Sequence, residues 1–432
     1  MKLSLALLLA SAAFAQQYDL LLQGGHVVDA KNNINAVRDV AIKDGKVAAV
    51  AAKIAPSTAL KTVNVAGLYV APGLIDLHVH VYAGTGERGS YAGDNSVYPD
   101  GFTLRSGVTT VADAGCSGWR NFEDFKAKVI DRSRTRVLVF LNIVGHGMRG
   151  GRYESDQTDM APDPAAEMAM KYKSTIIGIK SAHYAGPEWT SVESAVAAGT
   201  KANIPVMVDF GNDHPTRPLA DLLTKKLRPG DIYTHCYSGL RKELGEDGKP
   251  NPGMIEGRKR GVFFDVGHGG ISFTWRVAVP FMKANFWPDS ISTDLHITSM
   301  NAGMKDQLNV MSKFLAMGMP VDEVIRRSTW NPAREIKREE LGNLSVGSPA
   351  DIAVLRVEKG NFGFTDGYGG LLRATQKLNN ELTLRDGRVV YDLNGITRPD
   401  WTTLPKGYTQ TGDSRWDAVH PAGGRGGQGK KK

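Results

Sequence analysis

Cysteine is scarce in this chain. Its 432 residues include two, Cys116 and Cys236. Two thiols cannot build the cross-linked framework of a small secreted domain. Each follows an apolar, strand-like run, so buried free thiols are expected. Long hydrophobic runs are also missing: no stretch of about eighteen apolar residues exists to cross a bilayer. The sequence carries no internal repeat and no RNA- or DNA-binding motif. Aromatics at 8% and charged residues at 23% are ordinary for a globular protein. The length is enough for one large barrel and a smaller companion domain.

A net charge of +8 invites a nucleic-acid partner, but much of it is peripheral. Lys2 lies at the start, and Arg425, Lys430, Lys431 and Lys432 lie in a glycine-rich end. Taking those five from +8 leaves +3 on the folded body, which needs no acidic partner. The first residues read as a signal peptide. Lys2 is followed by apolar Leu3 to Ala13 and by the small-x-small step Ala13-Phe14-Ala15. Residues 1–15 are therefore expected to be removed, and the mature protein to be exported, periplasmic or secreted.

Residues 16–72 alternate short apolar runs with turn residues. Asp44-Gly45 between two such runs predicts a hairpin. From Gly73 the rhythm changes. Eight apolar runs end at His80, Asp113, Asn142, Lys180, Asp209, His235, Asp265 and Asp294, with helical stretches such as 187–202 and 273–282 between them. That is the rhythm of an α/β TIM (β/α)8 barrel over residues 73–341. Near-continuous apolar runs suit strands covered on both sides. Strand patterns return after Leu341, with a second hairpin turn at Asp386-Gly387. The expected architecture joins 16–72 and 342–398 into a small β-sandwich module beside the barrel. A flexible tail follows over 399–432.

The strongest chemical signal is Pro72-Gly73-Leu74-Ile75-Asp76-Leu77-His78-Val79-His80. Strand side chains alternate, so His78 and His80 face one side, the barrel mouth, as a pair of metal ligands. Asp76 shares that face and could orient an imidazole. Lys180, His235 and Asp294 close other strands toward the same point. A lysine ending a buried apolar run is unusual, since a buried ammonium is costly. It is explained equally by a neutral amine carrying CO2 as a carbamate and by a paired carboxylate.

The motif Gly73-x-x-Asp76-x-His78-x-His80, with Lys180, His235 and Asp294, resembles the amidohydrolase superfamily, and most closely its dihydroorotase-like and deacetylase-like branch. The resemblance covers nearly the whole mature chain. Thr234-His235-Cys236 and Phe264-Asp265-Val266-Gly267-His268-Gly269 resemble the deacetylase branch in particular. The resemblance implies that His78 and His80 bind one Zn2+ and that a CO2-derived carbamate on Lys180 bridges to a second. It makes His235 the strand-six ligand, and Asp294 both a metal ligand and the catalytic acid and base. One departure matters. The family usually ends strand five with histidine, and here Val206-Met207-Val208 ends in Asp209. Asp209 as a carboxylate ligand is the first reading, a single-metal site the second, and His183 or His214 as a substitute the third.

The expected reaction is hydrolysis of an amide or ester in a small carboxylate-bearing substrate, with Asp294 moving the proton. Substrate contacts are expected from the strand-to-helix loops: His146 and Arg149 in the basic, glycine-rich loop 145–152, His268 between two glycines, and Tyr184. Cyclic-amide or N-acyl-D-amino-acid hydrolysis, with Cys116 as an extra ligand, is an alternative. A non-catalytic metal- or solute-binding protein on the same fold is another. A homo-oligomer is compatible with the sequence.

Overall fold

The computed structural model describes residues 16–209, 211, 214–409 and 412–420. The expected signal peptide (1–15) and the end of the expected tail (421–432) lie outside the described residues.

Both ends of the described chain enter one eight-stranded sheet. Its N-terminal strands are β1 (Tyr18–Asp29), β2 (Ile34–Lys43), β3 (Lys46–Ala51), β4 (Ala59–Asn64) and β5 (Tyr69–Pro72). The apolar runs on either side of Gly24-Gly25 belong to a single strand. A bulge between Leu22 and Gly25 absorbs the glycines. The β2–β3 hairpin turns at Asp44-Gly45, with φ of 49° and 76°. Two positive φ values match the right-handed twist of the flanking strands, as the sequence predicts.

The barrel strands are β6 (Leu74–Val79), β7 (Val108–Gly118), β8 (Arg136–Asn142), β9 (Ile176–Ser181), β10 (Val206–Val208), β11 (Ile232–Tyr233) and β12 (Phe263–Phe264). They form one parallel sheet in chain order. The eighth staves off regular ladder geometry: residues 290–295 join the ends by single bridges, Ser290 to Asp265 and Leu295 to Val79. Leu295 N donates to His78 O (3.3 Å) and His80 N donates to Leu295 O (2.8 Å), so the cylinder closes beside the paired histidines. Leu77, Phe140, Ile177, Met207 and Ile232, from five strands, share one buried cluster with Ala333 and Ile336. Side chains from strands so far apart in order can meet only inside the cylinder. They fill its interior as a packed core.

The chain then returns to the first sheet through β13 (Ile352–Thr365), β14 (Leu371–Arg385) and β15 (Arg388–Asp392). β13 pairs antiparallel with β5, which joins the two terminal segments. The β13–β14 hairpin runs well beyond the apolar pattern that announces it, because its outer half is largely solvent-exposed and lacks a continuous apolar run. The stretch 412–420, assigned to a flexible tail from composition, packs on this sheet. Trp416 is buried in the module core, and Ala418 N donates to Val389 O at 3.0 Å. No helix among the described residues is long and apolar enough to cross a membrane.

Candidate active site

His78 and His80 leave β6 on one face, with ring centroids 5.4 Å apart. Each ring is anchored through Nδ1. His78 Nδ1 meets Thr234 Oγ1 at 2.9 Å, and His80 Nδ1 meets Cys116 Sγ at 3.1 Å. Both Nε2 atoms therefore turn to Asp294 Oδ1, at 3.7 Å from His78 and 2.9 Å from His80. Asp294 reaches inward from a left-handed backbone, φ 55°, a conformation that costs a non-glycine residue roughly 1–3 kcal/mol and concentrates at functional sites. A Cβ at Gly269 would lie 2.5 Å from Asp294 Oδ2, so only glycine lets that loop pass behind the carboxylate.

Burial lowers both imidazoles, His78 well below its ordinary range and His80 to about 4. Burial thus favours the neutral form of both rings, the form that ligates a metal. Burial pushes the Asp294 carboxyl up. The rings of His296, His78 and His80 outweigh it and hold the group well below the ordinary carboxylate range. Two Nε2 atoms and one anionic oxygen lie within 4.8 Å of one another, a donor set that fits a divalent cation.

The other predicted ligands stand next to this group. Lys180 Nζ is 3.3 Å from His78 Nε2, and burial lowers its pKa. The His235 ring centroid is 4.9 Å from that of His78. Its Nε2 is 3.2 Å from Asp209 Oδ2. Asp209 is buried and satisfied: Oδ2 also meets His183 Nε2 at 3.2 Å, and Oδ1 meets Arg241 Nη2 at 2.8 Å. Burial raises the Asp209 carboxyl, but His235 and His183 prevail and hold it well below its usual range. His183 in turn bonds Glu154 Oε2 at 2.6 Å. His214 is bonded locally to Thr216 at 2.9 Å.

The remaining expectations fare differently. Asp76 bonds no imidazole ring among the described residues. It accepts from Thr293 Oγ1 (2.5 Å) and Thr293 N (3.0 Å), which staples β6 to the closing segment. His268 lacks the open access expected of a histidine between glycines. It is fully buried and stacked on Phe273 at 4.5 Å, with Nε2 2.6 Å from Lys313 Nζ. His146 packs on Tyr153 (5.3 Å), and Arg149 pairs with Glu87 over the same ring. The Tyr184 hydroxyl bonds Gln157 and Glu188. None of these three contacts His78, His80 or Asp294 among the described residues. Sequence reasoning passed over His296, whose Nδ1 is 3.2 Å from Asp294 Oδ1. It also passed over Tyr91, whose ring caps His80 at 4.4 Å and His296 at 5.0 Å. His296 lies two residues past a flagged aspartate, which was a usable signal. Tyr91 had none. Cys116 and Cys236 are free and buried, as expected.

Residues 278–390 match the Amidohydrolase family model. A deacetylase of Brucella anthropi is 32% identical over 351 residues, 78% of this chain and 84% of that protein. The chain belongs to the amidohydrolase superfamily. Two solved structures carry the same fold as this amidohydrolase. An adenine deaminase superposes with a TM-score of 0.79 at 28% identity, covering 87% of this chain and 100% of the other. A dihydroorotase superposes with a TM-score of 0.75 at 30% identity, covering 86% and 99%. The TIM barrel inferred from strand rhythm is thus the fold. This amidohydrolase is a metal-dependent hydrolase of amide C–N bonds.

Proposed function

We propose that this protein is an exported, zinc-dependent deacetylase that hydrolyses an acyl amide or ester of a small carboxylate-bearing substrate. One observation carries the reading: a single carboxylate oxygen, Asp294 Oδ1, faces the Nε2 atoms of two buried histidines. The likeness to the deacetylase from Brucella anthropi supports the deacetylase reading. The leader-like residues 1–15 support export.

His78, His80 and Asp294 would hold the first ion. Lys180, as its carbamate, would hold a second with His235 and Asp209. When bound, the metal supplies Lewis acidity, which polarises the scissile carbonyl and makes water a better nucleophile near neutral pH. Asp294, ionised and aimed inward, takes the proton of the attacking water as the new C–O bond forms. It returns that proton to the leaving nitrogen as the C–N bond breaks. His296, through Nδ1, holds the Asp294 carboxylate in place through this transfer. Tyr91 covers His80 and excludes bulk water from that side.

A second reading, cyclic-amide hydrolysis of the dihydroorotase or hydantoinase type, is favoured by the dihydroorotase likeness. One experiment separates them. Metal content of the purified chain is measured beside turnover on a panel of N-acetyl and O-acetyl carboxylic acids and of cyclic amides. The expected outcome is bound zinc with turnover on the acetyl panel. Asp294→Asn should lose roughly 10²–10⁴-fold in kcat while retaining metal. Turnover on cyclic amides alone would select the second reading. Bound metal with no turnover on either panel would reject both.

A further inference from the structure

A column of hydrogen bonds runs from the anchored side of His78 to a buried acid outside the site. His78 Nδ1 meets Thr234 Oγ1 (2.9 Å), and Thr234 Oγ1 meets Asp265 Oδ2 (2.7 Å). Asp265 Oδ1 meets Ser290 Oγ (2.8 Å), and Ser290 Oγ meets Glu335 Oε2 (2.9 Å). Ser292 Oγ adds a third hydroxyl to Asp265, at 2.7 Å. Glu335 is buried, and its Oε1 has no hydrogen-bond partner among the described residues.

Counting protons orders the column. The Ser290 hydroxyl has one hydrogen and stands between two carboxylates, so it can donate to only one of them. The other must carry a proton and donate to it. Burial raises the Asp265 carboxyl too, but its three hydroxyl neighbours, Ser292, Thr234 and Ser290, work against that rise, the surroundings of an anion. Glu335 has one, plus a bare oxygen, the surroundings of a neutral acid. Burial raises Glu335 well above the ordinary carboxylate range, with Asp289 and Asp265 adding to it. The direction of every other bond follows. Glu335 donates to Ser290, and Ser290 to Asp265. From the opposite end Thr234 must also donate to the anion. Its oxygen is then left to accept, and the donor is His78 Nδ1–H.

We propose that Glu335 is a permanently protonated acid which keeps Asp265 as the anionic hub of this column, and that Asp265 acts through Thr234 to hold His78 in its Nδ1–H tautomer with a bare Nε2 facing Asp294. Glu335 and Asp265 are positioning residues: neither touches His78, Asp294 or His80. The inference rests on the reading of His78 as a metal-holding imidazole, and it adds what selects that imidazole's tautomer. A partner one bond behind a ligating histidine is worth about 10–100-fold in metal affinity or activity.

Two spectroscopic readouts test it on the full mature chain. The infrared difference spectrum of wild type minus Glu335→Gln should show a protonated carboxylic acid stretch, unmoved by a chelator and by pH across the folded range. In histidine-¹⁵N NMR, His78 should carry its proton on Nδ1 in wild type. In Asp265→Asn the amide can donate to Thr234, so the proton should move off Nδ1, and metal affinity should fall about 10–100-fold. The absence of the acid stretch in wild type would overturn the proposal. So would an acid stretch lost in Asp265→Asn rather than Glu335→Gln, or an Asp265→Asn variant that loses stability with the His78 tautomer unchanged. A wild-type chain that binds no metal but keeps both signals would support the column and sink the metal reading instead.

Discussion

Arg241 Nη2 lies 2.8 Å from Asp209 Oδ1, and both side chains are buried. The guanidinium also donates through Nε to Gly211 O. Asp209 stands where the superfamily resemblance leads one to expect a histidine, and a fixed cation accompanies it. Removing one partner of a buried pair leaves the other uncompensated, typically at a cost of about 3–5 kcal/mol. Arg241→Met is therefore expected to lower unfolding free energy by roughly that amount in denaturant titrations. Arg241→Lys should rescue it poorly, because an ammonium cannot serve the carboxylate and the Gly211 carbonyl from one planar fork. A variant of wild-type stability would show that His183 and His235 suffice to hold the anion.

Cys116 meets His80 on Nδ1, the ring nitrogen that does not face Asp294. Burial raises the thiol well above its ordinary pKa, so it remains a protonated, unreactive group. Cys116→Ser should keep the metal content of wild type. Both thiols should resist a soluble thiol reagent until the protein unfolds. Loss of metal in Cys116→Ser would instead support the cysteine-ligand alternative.

Lys313 Nζ has three acceptors: His268 Nε2 at 2.6 Å, and Gly303 O and Thr365 O each at 2.8 Å. Burial lowers its pKa from 10.5 to about 7. Between those values the unfolded chain holds a proton that the folded chain lacks. Raising the pH through this window therefore favours the folded state, by up to ~1.4 kcal/mol per pH unit. The penalty is complete below about pH 7 and relieved toward pH 10.5. The stability difference between wild type and Lys313→Met should move toward wild type as pH rises through that range. A difference flat with pH would mean that the three acceptors keep the ammonium charged.

Gly387 adopts φ 74° in the β14–β15 turn, and a Cβ there would lie 2.7 Å from Gly45 Cα in the β2–β3 turn. Two hairpin tips from opposite ends of the chain thus touch backbone to backbone. Gly387→Ala should cost about 1–3 kcal/mol through the disfavoured conformation, read as a lower thermal midpoint. Unchanged stability would show that the two turns separate freely.

Much of this molecule follows from short-range pattern. Period-two alternation on β6 puts His78 and His80 on one face. The Asp-Gly steps at 44–45 and 386–387 dictate two hairpins because few residue pairs tolerate positive φ twice in succession. Eight apolar runs ending in polar residues imply strands covered by helices and open at one end. The pattern fails at the β13–β14 hairpin, since an exposed strand needs no apolar face to register. It also fails at residues 412–420, where one buried Trp416 anchors a polar stretch.

Local pattern thus determined which side chains the strand ends would offer, since that depends on the two-residue repeat of an extended chain. Tertiary structure alone decided who answers them. Arg241 reaches Asp209, Tyr91 covers His80, Lys313 holds His268, and Ser290 with Glu335 backs Asp265. Each comes from a different loop, helix or strand, at a separation no periodicity can register. The backing of Asp265 by Ser290 and Glu335 depends on cylinder closure, which brings residues 290–295 against both Asp265 and Val79, and a charge enters such an interior only with its partners already in place.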